Sequence, residues 1–415
     1  MNSPKDIDGL HPKTAEFIER KSAEERKEMG QYFTPQPIIE EILSNLPDDV
    51  LESSDLDILD PSSGTGEFLR YADGVFKDAN LEGWELDEEL VEVSREILGD
   101  SAVIRNVNSL HHEPDRKYDL IIGNPPYYEI KLDDEIRERY GRVIYGRTNI
   151  YNLFIYKSLE LLRDGGHLAF VNPPSMNNGA YFKKLRDYII ENCSIEYMSV
   201  HEDSEIFEDA SQSVMYIVIK KGGDHNDYVF EKNGIQIFSE EAEYLEEEFD
   251  GKKTLSDMGF EVRTGRLVWN QNKEKLTEEE TENSHPIIWS KNIEDGGVNI
   301  NPDQHSKPQY IENYECSTGP AVVVNRVVGQ PGQGSIRAGL IPDGKKFVAE
   351  NHVNVIQPKK DSEQSTLPNQ SSTDISLGKV LEQLNSDENV DIVQTITGNS
   401  QISKTELQEL FPFED

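Results

Sequence analysis

The chain has 415 residues, room for two domains, and carries 79 acidic against 41 basic residues for a formal charge of −38. It contains no run of 18 apolar residues, Met1–Asp6 lacks the apolar core of a signal peptide, and Cys193 and Cys316 give neither a disulfide framework nor zinc spacing, so we expect a cytoplasmic protein with no membrane and no metal. The acids are dispersed among periodic apolar segments, as expected of a halophile, where salt screens self-repulsion over about 3 Å at 1 M; such acidity excludes a nucleic-acid partner at ordinary salt unless basic islands interrupt it.

Residues 1–29 read as a charged helical lead-in held by Phe17 and Ile18. In Gly30-Gln31-Tyr32-Phe33-Thr34-Pro35-Gln36-Pro37, Thr34 is placed to cap a helix starting at Pro35, whose core face is Ile38, Ile39, Ile42, Leu43 and Leu46. A glycine and two aromatics ahead of the cap suit a loop folded over a ligand. Leu56–Asp60 is a strand, followed by Pro61-Ser62-Ser63-Gly64-Thr65-Gly66, a tight turn with free N–H groups at the next helix. The turn lacks the third glycine of a dinucleotide fingerprint and the Gly-Lys-Ser/Thr of a P-loop. Asp60 ahead of the glycines would repel a pyrophosphate but suits a sulfonium or an amine. A second strand ends at Gly83–Asp87 and puts Glu85 where a ribose diol would sit.

A third strand, Ala102–Ile104, leads through Asn106–Leu110 to the strand Lys117–Ile122, which ends in Gly123-Asn124-Pro125-Pro126-Tyr127. The paired prolines forbid helix and strand, leaving a stiff tip with one amide, two backbone carbonyls and an aromatic ring. Amide and carbonyl oxygens side by side accept both hydrogens of a planar NH2 group, and the ring stacks on its heterocycle; adenine, cytosine and carboxamide nitrogens all fit. The four letters alone also fit an ordinary Pro-rich turn. His111-His112 has no partner at metal spacing and reads as surface. A helix from Tyr151 to Leu162 and strands at Gly165–Pro173 and Val214–Ile219 complete an α/β doubly wound sheet with ligands at strand carboxyl ends. Residues 224–250 form an acidic connector, and the remainder mixes strands at 260–266 and 321–326, a polar loop at 361–377 and terminal helices near Val380–Leu384 and Leu407–Leu410.

In this order the motifs resemble the gamma-class, Taq-type N6-adenine DNA methyltransferases of restriction–modification systems, over roughly residues 28–223, and the acidic balance suggests a haloarchaeal member. The resemblance implies a Rossmann-like methyltransferase domain at 1–223 and a mixed α+β target-recognition domain at 251–415. It implies S-adenosylmethionine bound by Thr34, Asp60, Ser62, Gly64 and Gly66, with Glu85 on the ribose. Asn108 stands where the family has an acid that receives the cofactor's adenine amino group. Catalysis falls to Asn124, Pro125, Pro126 and Tyr127, acting on N6 of a flipped adenine. The second aromatic wall of the base pocket maps to Ile219, with Tyr216 nearby. Double-stranded DNA is the implied partner of a monomer, alongside a separate cognate restriction endonuclease. Its reading surface is expected at Arg263 and Arg266, with Lys273, and at an island of Arg326, Arg337, Lys345 and Lys346. Protein-glutamine and ribosomal-RNA methyltransferases share the Asn-Pro-Pro-Tyr site and remain rivals, as does a noncatalytic recognition subunit.

Overall fold

A computed structural model describes residues 9–28, 30, 32–201, 213–223, 227–294, 296–300, 307–326, 336–359, 376–386, 392, 395–396 and 402–414. The chain forms two compact units, Met1–Val229 with Gln236–Ala242, and Phe230–Ile235 with Glu243–Asp415.

The first unit is built on seven strands: β1 (Asp57–Asp60), β2 (Asn80–Glu85), β3 (Ala102–Asn106), β4 (Tyr118–Gly123), β5 (Leu162–Asn172), β6 (Cys193–His201) and β7 (Val214–Lys221). They lie in the order β3-β2-β1-β4-β5-β7-β6. The first five are parallel, while β7 runs antiparallel to both β5 and β6. Central strands covered on both faces need continuous apolar runs, and Leu120, Ile121 and Ile122 of β4 are all fully buried. Alternate residues serve opposite cores. Ile121, Leu168 and Phe170 pack with helices α5 (Ile150–Leu161) and α6 (Lys183–Asn192). Ile122, Ala169 and Val171 pack with α2 (Gln36–Ser44), α3 (Glu67–Val75) and α4 (Glu88–Leu98).

Thr34 does not cap α2. Pro35 occupies the cap position with no side-chain bond, and the Thr34 hydroxyl is engaged elsewhere. Burial docks this helix instead: Ile38, Ile39, Ile42 and Leu43 are all inside, each worth about 1.5–3 kcal/mol. Strand β6 was not expected from the sequence, because a register shift between Ile195 and Tyr197 breaks its alternation. The N-terminal lead-in contains α1 (Pro12–Arg20), with Phe17 fully buried.

The second unit holds β8 (Phe260–Thr264), β9 (Leu276–Thr277), β10 (Ser284–Ile288), β11 (Tyr310–Glu312), β12 (Ser317–Thr318), β13 (Ala321–Asn325), β14 (Ala338–Ile341), β15 (Lys346–Ala349) and β16 (Val353–Pro358). One sheet has the order β8-β16-β13-β14 and another β9-β11-β10-β15-β12. Helices α7 (Leu377–Leu384) and α8 (Lys404–Glu409) bring Val380, Leu384 and Leu407 into one core with Val262, Val322, Val324 and Ile356 of the four-stranded sheet. The stretch 224–250 is more than a connector: it carries strands Val229–Lys232 and Ile235–Phe238 and the helix Ala242–Glu248, and contributes to both units. The expected polar loop at 361–377 lies, except for its last two residues, outside the described residues.

Candidate active site

The carboxyl ends of β1, β2 and β4 meet at one edge of the first unit's sheet, beside a cavity of about 600 Å3. Its lining includes five carboxylates, Asp60, Glu67, Glu85, Asp87 and Asp133, and one lysine, Lys131. Asp60 is only 1% exposed. Its Oδ1 accepts the Ser62 N–H at 3.0 Å, but burial, with the charge of Glu85 beside it, outweighs that bond and pushes the carboxyl up to about 8. Glu85 accepts three backbone N–H groups, from Gly64 at 2.9 Å, Leu86 at 2.8 Å and Asp87 at 2.9 Å. Burial nonetheless raises it above the usual carboxylate range.

Two glycines are required here by geometry. Gly66, at φ +90°, heads α3, and a Cβ there would meet Ser94 Oγ at 2.7 Å. Gly123, at φ +146°, lets β4 end against Asp60, whose Oδ1 would lie 2.6 Å from a Cβ.

Asn124 follows directly. Its Nδ2 donates to Thr34 Oγ1 at 3.0 Å, and its Oδ1 accepts from the Tyr127 hydroxyl, which also lies 2.9 Å from the Val171 carbonyl. Ser62 Oγ donates to the Asn124 carbonyl at 3.3 Å. The glycine turn, the Thr34 segment and the Asn-Pro-Pro-Tyr tip therefore converge, as three separate stretches of sequence. The glycine preceding Thr34 also has its reason: Gly30, at φ +66°, packs where a Cβ would come within 2.9 Å of the Tyr128 ring and 3.2 Å of Pro126. Phe33 contacts Phe17 of α1 edge-on at 5.7 Å. That helix is tied to the head of α3, since Glu67 Oε1 accepts from Thr14 Oγ1 at 2.6 Å and from His11 N at 3.0 Å. Sequence reasoning missed Glu67; a carboxylate at a helix N-terminus reads as an ordinary dipole partner.

Other residues sit differently from expectation. Asn108 Oδ1 accepts the Leu110 N–H at 3.1 Å, so part of its acceptor capacity is used within its own turn. The Tyr127 face is covered by Tyr32, stacked at 5.6 Å and 25°. Ile219 is fully buried in the core and Tyr216 stacks on His201, so neither supplies the expected second wall. His111 borders the cavity and pairs with Glu135 at 2.7 Å, while His112 sets its ring edge-on to Trp84. Among the described residues no cluster of ligating side chains could hold a metal ion.

In the second unit, the expected basic island is split. Arg326 and Arg337 flank the end of the β13–β14 ladder where Val324 pairs with Ala338. Lys345 and Lys346 lie past the opposite end, where Ala321 pairs with Ile341, about 10 Å away at the rise of a strand. Arg263 and Arg266 belong with the arginines: Thr264 and Val324 both pair with Asn354, and the Arg326 N–H bonds the His352 carbonyl at 2.9 Å. Gly265 lies against residue 350, where a Cβ would come within 2.1 Å of a carbonyl oxygen. Arg263 pairs with Glu261, and Arg266 with Glu315 at 3.2 Å. Lys273, expected with Arg263 and Arg266, lies 5.3 Å from the Trp269 ring, and Lys307, which the sequence reading missed, lies 4.8 Å from Trp269 and 4.5 Å from Trp289.

Residues 71–207 match the family described as Eco57I restriction-modification methylase. The chain is 27% identical over 351 residues to the Type II methyltransferase M.CvrRI of Paramecium bursaria Chlorella virus XZ-6E, an alignment spanning 82% of this chain and 86% of that protein. It is 29% identical over 281 residues to the Type II methyltransferase M.AccI of Acinetobacter calcoaceticus, covering 61% of this chain and 49% of that relative, about half its length. Among solved structures it aligns with the type IIG restriction endonuclease BpuSI at a TM-score of 0.43 and 14% identity, over 99% of this chain and 59% of that one.

Proposed function

We propose that this chain is the DNA methyltransferase of a restriction–modification system, transferring a methyl group from S-adenosylmethionine to N6 of an adenine flipped out of the duplex. The observation that carries this reading is the Asn124 amide, held by Thr34 at the carboxyl end of β4 and bordering an acid-lined cavity. The similarity to Type II methyltransferases supports it. The cavity fits the cofactor's charge. Asp60 is a buried carboxyl held protonated up to about 8, and a cationic group beside it would reverse that shift. Gly64 leaves room for close approach, Gly66 instead lets the head of α3 pack against Ser94, and Glu85 retains acceptor capacity for a ribose hydroxyl beyond its three backbone bonds. Bound there, the cofactor supplies an electrophilic methyl group on a sulfonium.

The protein's part is orientation. The Asn124 Oδ1 and the Pro125 carbonyl accept the two N6 hydrogens, which aims the nitrogen lone pair at the methyl carbon. Pro126 stiffens the tip, and the Tyr127 ring stacks on the base. A bound cofactor's sulfonium would give up the methyl group and keep the electron pair of the C–S bond, and N6, held by Asn124 and Pro125, would release one proton to solvent. Tyr127 must first give up its hydrogen bond to Asn124 Oδ1, because that acceptor is needed by the base. Sequence readout falls to the second unit, with Arg263, Arg266, Arg326 and Arg337 at one end of its four-stranded sheet. A separate endonuclease would complete the system.

The test is transfer of labelled methyl groups to duplex DNA, with the product nucleoside identified by mass spectrometry. We expect N6-methyladenine, and Asn124→Ala should lose about a hundredfold or more in turnover while binding cofactor within a few-fold of wild type. Label appearing in release factor or ribosomal RNA and not in DNA would refute the reading, as would normal turnover by Asn124→Ala.

A further inference from the structure

We propose that Arg147, stacked on Tyr181, holds the sugar-phosphate backbone of the target strand close to the extruded nucleotide, which gives the first unit a DNA contact of its own. This role rests on the methyltransferase reading above and adds a binding residue to it.

Both residues belong to loops that leave the site's edge of the sheet. The chain runs from β4 through the Asn-Pro-Pro-Tyr tip to Arg147, just before α5, and from β5 to Tyr181, just before α6. The two loops are fixed to the tip. The Ile150 N–H bonds the Tyr128 carbonyl at 2.9 Å, the Ile130 N–H bonds the Thr148 carbonyl at 3.0 Å, and Glu129 pairs with Asn149. Phe182 stacks on Tyr151 at 4.9 Å and 20°, and Tyr151 meets the Tyr127 ring edge-on at 5.9 Å. In the register of Glu129 with Asn149, Arg147 stands four residues along from Tyr127, about 13 Å at the rise of a strand. That spans about four base steps, since each DNA strand carries one phosphate per about 3.4 Å.

Backbone geometry brings the arginine and the ring together. Gly146, at φ +67°, passes so close to Tyr181 that a Cβ there would meet ring carbons at 2.7 and 2.8 Å. The next residue's guanidinium then lies 5.6 Å from the ring centroid. Stacking on an aromatic face orders a guanidinium before its ligand arrives and leaves it donors for a phosphate fork. The Arg147 side chain is 71% exposed, and its ion pair with Glu129 is 3.7 Å long, beyond good hydrogen-bonding range.

The surroundings also suit an anion. Residues 139–159 and 165–186 contain no Asp or Glu, in a chain with 79 acids among 415 residues. They carry Arg142, whose guanidinium lies 4.7 Å from the Tyr188 ring, and Lys184, which bonds the Gly141 carbonyl at 3.3 Å. Tyr128, Tyr145 and Tyr181, three of the four exposed tyrosines among the described residues, stand on these two loops. Exposed rings interleaved with cations fit a nucleic-acid strand, which offers phosphates, sugars and base faces together. The patch is a local exception to the chain's acidity. Because phosphate contacts position a duplex without reading it, this one would register the target strand on the Asn124 tip and leave sequence to the second unit.

The experiment uses the full chain and duplexes bearing the sequence found methylated by long-read sequencing. Arg147→Ala should weaken duplex binding about tenfold and flatten the slope of log K against log salt by about 1, with S-adenosylmethionine affinity and melting temperature as in wild type. Arg147→Lys should keep the slope, and Tyr181→Ala should weaken binding by a smaller factor. Neutral methylphosphonates are then placed one at a time along the target strand. In wild type, one position within about four nucleotides of the target adenine should cost about as much as Arg147→Ala, and Arg147→Ala should be indifferent to that position. An unchanged salt slope in Arg147→Ala, or equal sensitivity of wild type and variant at every position, would overturn the proposal; a partner protein would then be the occupant to seek. If wild type neither binds nor methylates duplex DNA, the methyltransferase reading itself fails, whereas normal methylation by wild type beside an unchanged slope in Arg147→Ala rejects this contact alone.

Discussion

The state of Asp60 should make cofactor binding depend on pH in a defined direction. Its carboxyl is pushed up to about 8 by burial and by Glu85. At pH 7 roughly one chain in ten therefore has Asp60 ionised, and at pH 9 roughly nine in ten. If the cofactor's positive charge selects the ionised form, affinity should rise about tenfold between pH 7 and 9, worth about 1.4 kcal/mol. The ligand's own amino group titrates in the same range, so the quantity to measure is the ratio of Kd values for wild type and Asp60→Asn. In that ratio the ligand's titration cancels. Calorimetric titration with S-adenosylmethionine at fixed KCl should give a ratio that shifts about tenfold in favour of wild type from pH 7 to 9. A flat ratio would refute the role of Asp60. The stability of the ligand-free chain supplies an independent check. A carboxyl raised in the folded state contributes stability that is present below about pH 4 and lost as pH rises through about 8, because the folded chain holds a proton that the unfolded chain has released. Asp60→Asn should therefore melt higher than wild type at pH 8 and show a smaller decline from pH 5 to 8.

Thr34→Val removes the oxygen that accepts the Asn124 amide at 3.0 Å while keeping the side chain's shape. Losing about 0.5–1.5 kcal/mol of orientation should cost about 2–10-fold in single-turnover methyl transfer with unchanged cofactor Kd; a raised Kd with normal transfer would assign Thr34 to the cofactor alone. In the second unit, Arg263→Ala and Arg337→Ala should weaken duplex binding, and the slope of log K against log salt should flatten by about 1 for each phosphate that is no longer neutralised. Lys345→Ala and Lys346→Ala, past the opposite end of the β13–β14 ladder, should bind as wild type; the reverse pattern in a filter-binding titration would move the reading surface to that end.

The centre of the first unit's sheet was legible because β4, β5 and β7 carry apolar runs closed by glycine or proline, a signal held within each segment, whereas β6 lacks such a run. Leu120, Ile121 and Ile122 are buried whichever face is considered, so no register had to be guessed. The site was legible only as parts. Asp60, Glu85 and Asn124 could each be placed at a strand end, but nothing in the letters says that the Thr34 hydroxyl turns away from its helix to hold an amide 90 residues further along. Capping is a local rule, and the competing partner was distant. The basic island failed for a related reason: Arg337 and Lys345 are close in sequence, yet β14 carries the chain from one end of the sheet to the other between them. The Lys307 contacts with Trp269 and Trp289 were likewise unreadable, since they join segments that are well separated along the chain.

Several groups that ligands would engage are already hydrogen-bonded or stacked within the chain. Tyr127 donates to the Asn124 oxygen that the base would use, Tyr32 covers the face on which the base would stack, three backbone N–H groups occupy part of Glu85's acceptor capacity, and Leu110 bonds Asn108. Burial holds a proton on Asp60 up to about 8, which a cationic ligand would displace. Binding here exchanges hydrogen bonds more than it adds them, and an exchanged bond contributes little net free energy, about 1 kcal/mol or less. On the function proposed above, the first unit alone should therefore hold an extruded base weakly. In a chain of charge −38 the general attraction of phosphate for protein is also absent. On that same proposal, discrimination falls to contacts of the duplex with the second unit, and the arginines at one end of its sheet are the groups whose planar forks suit that task.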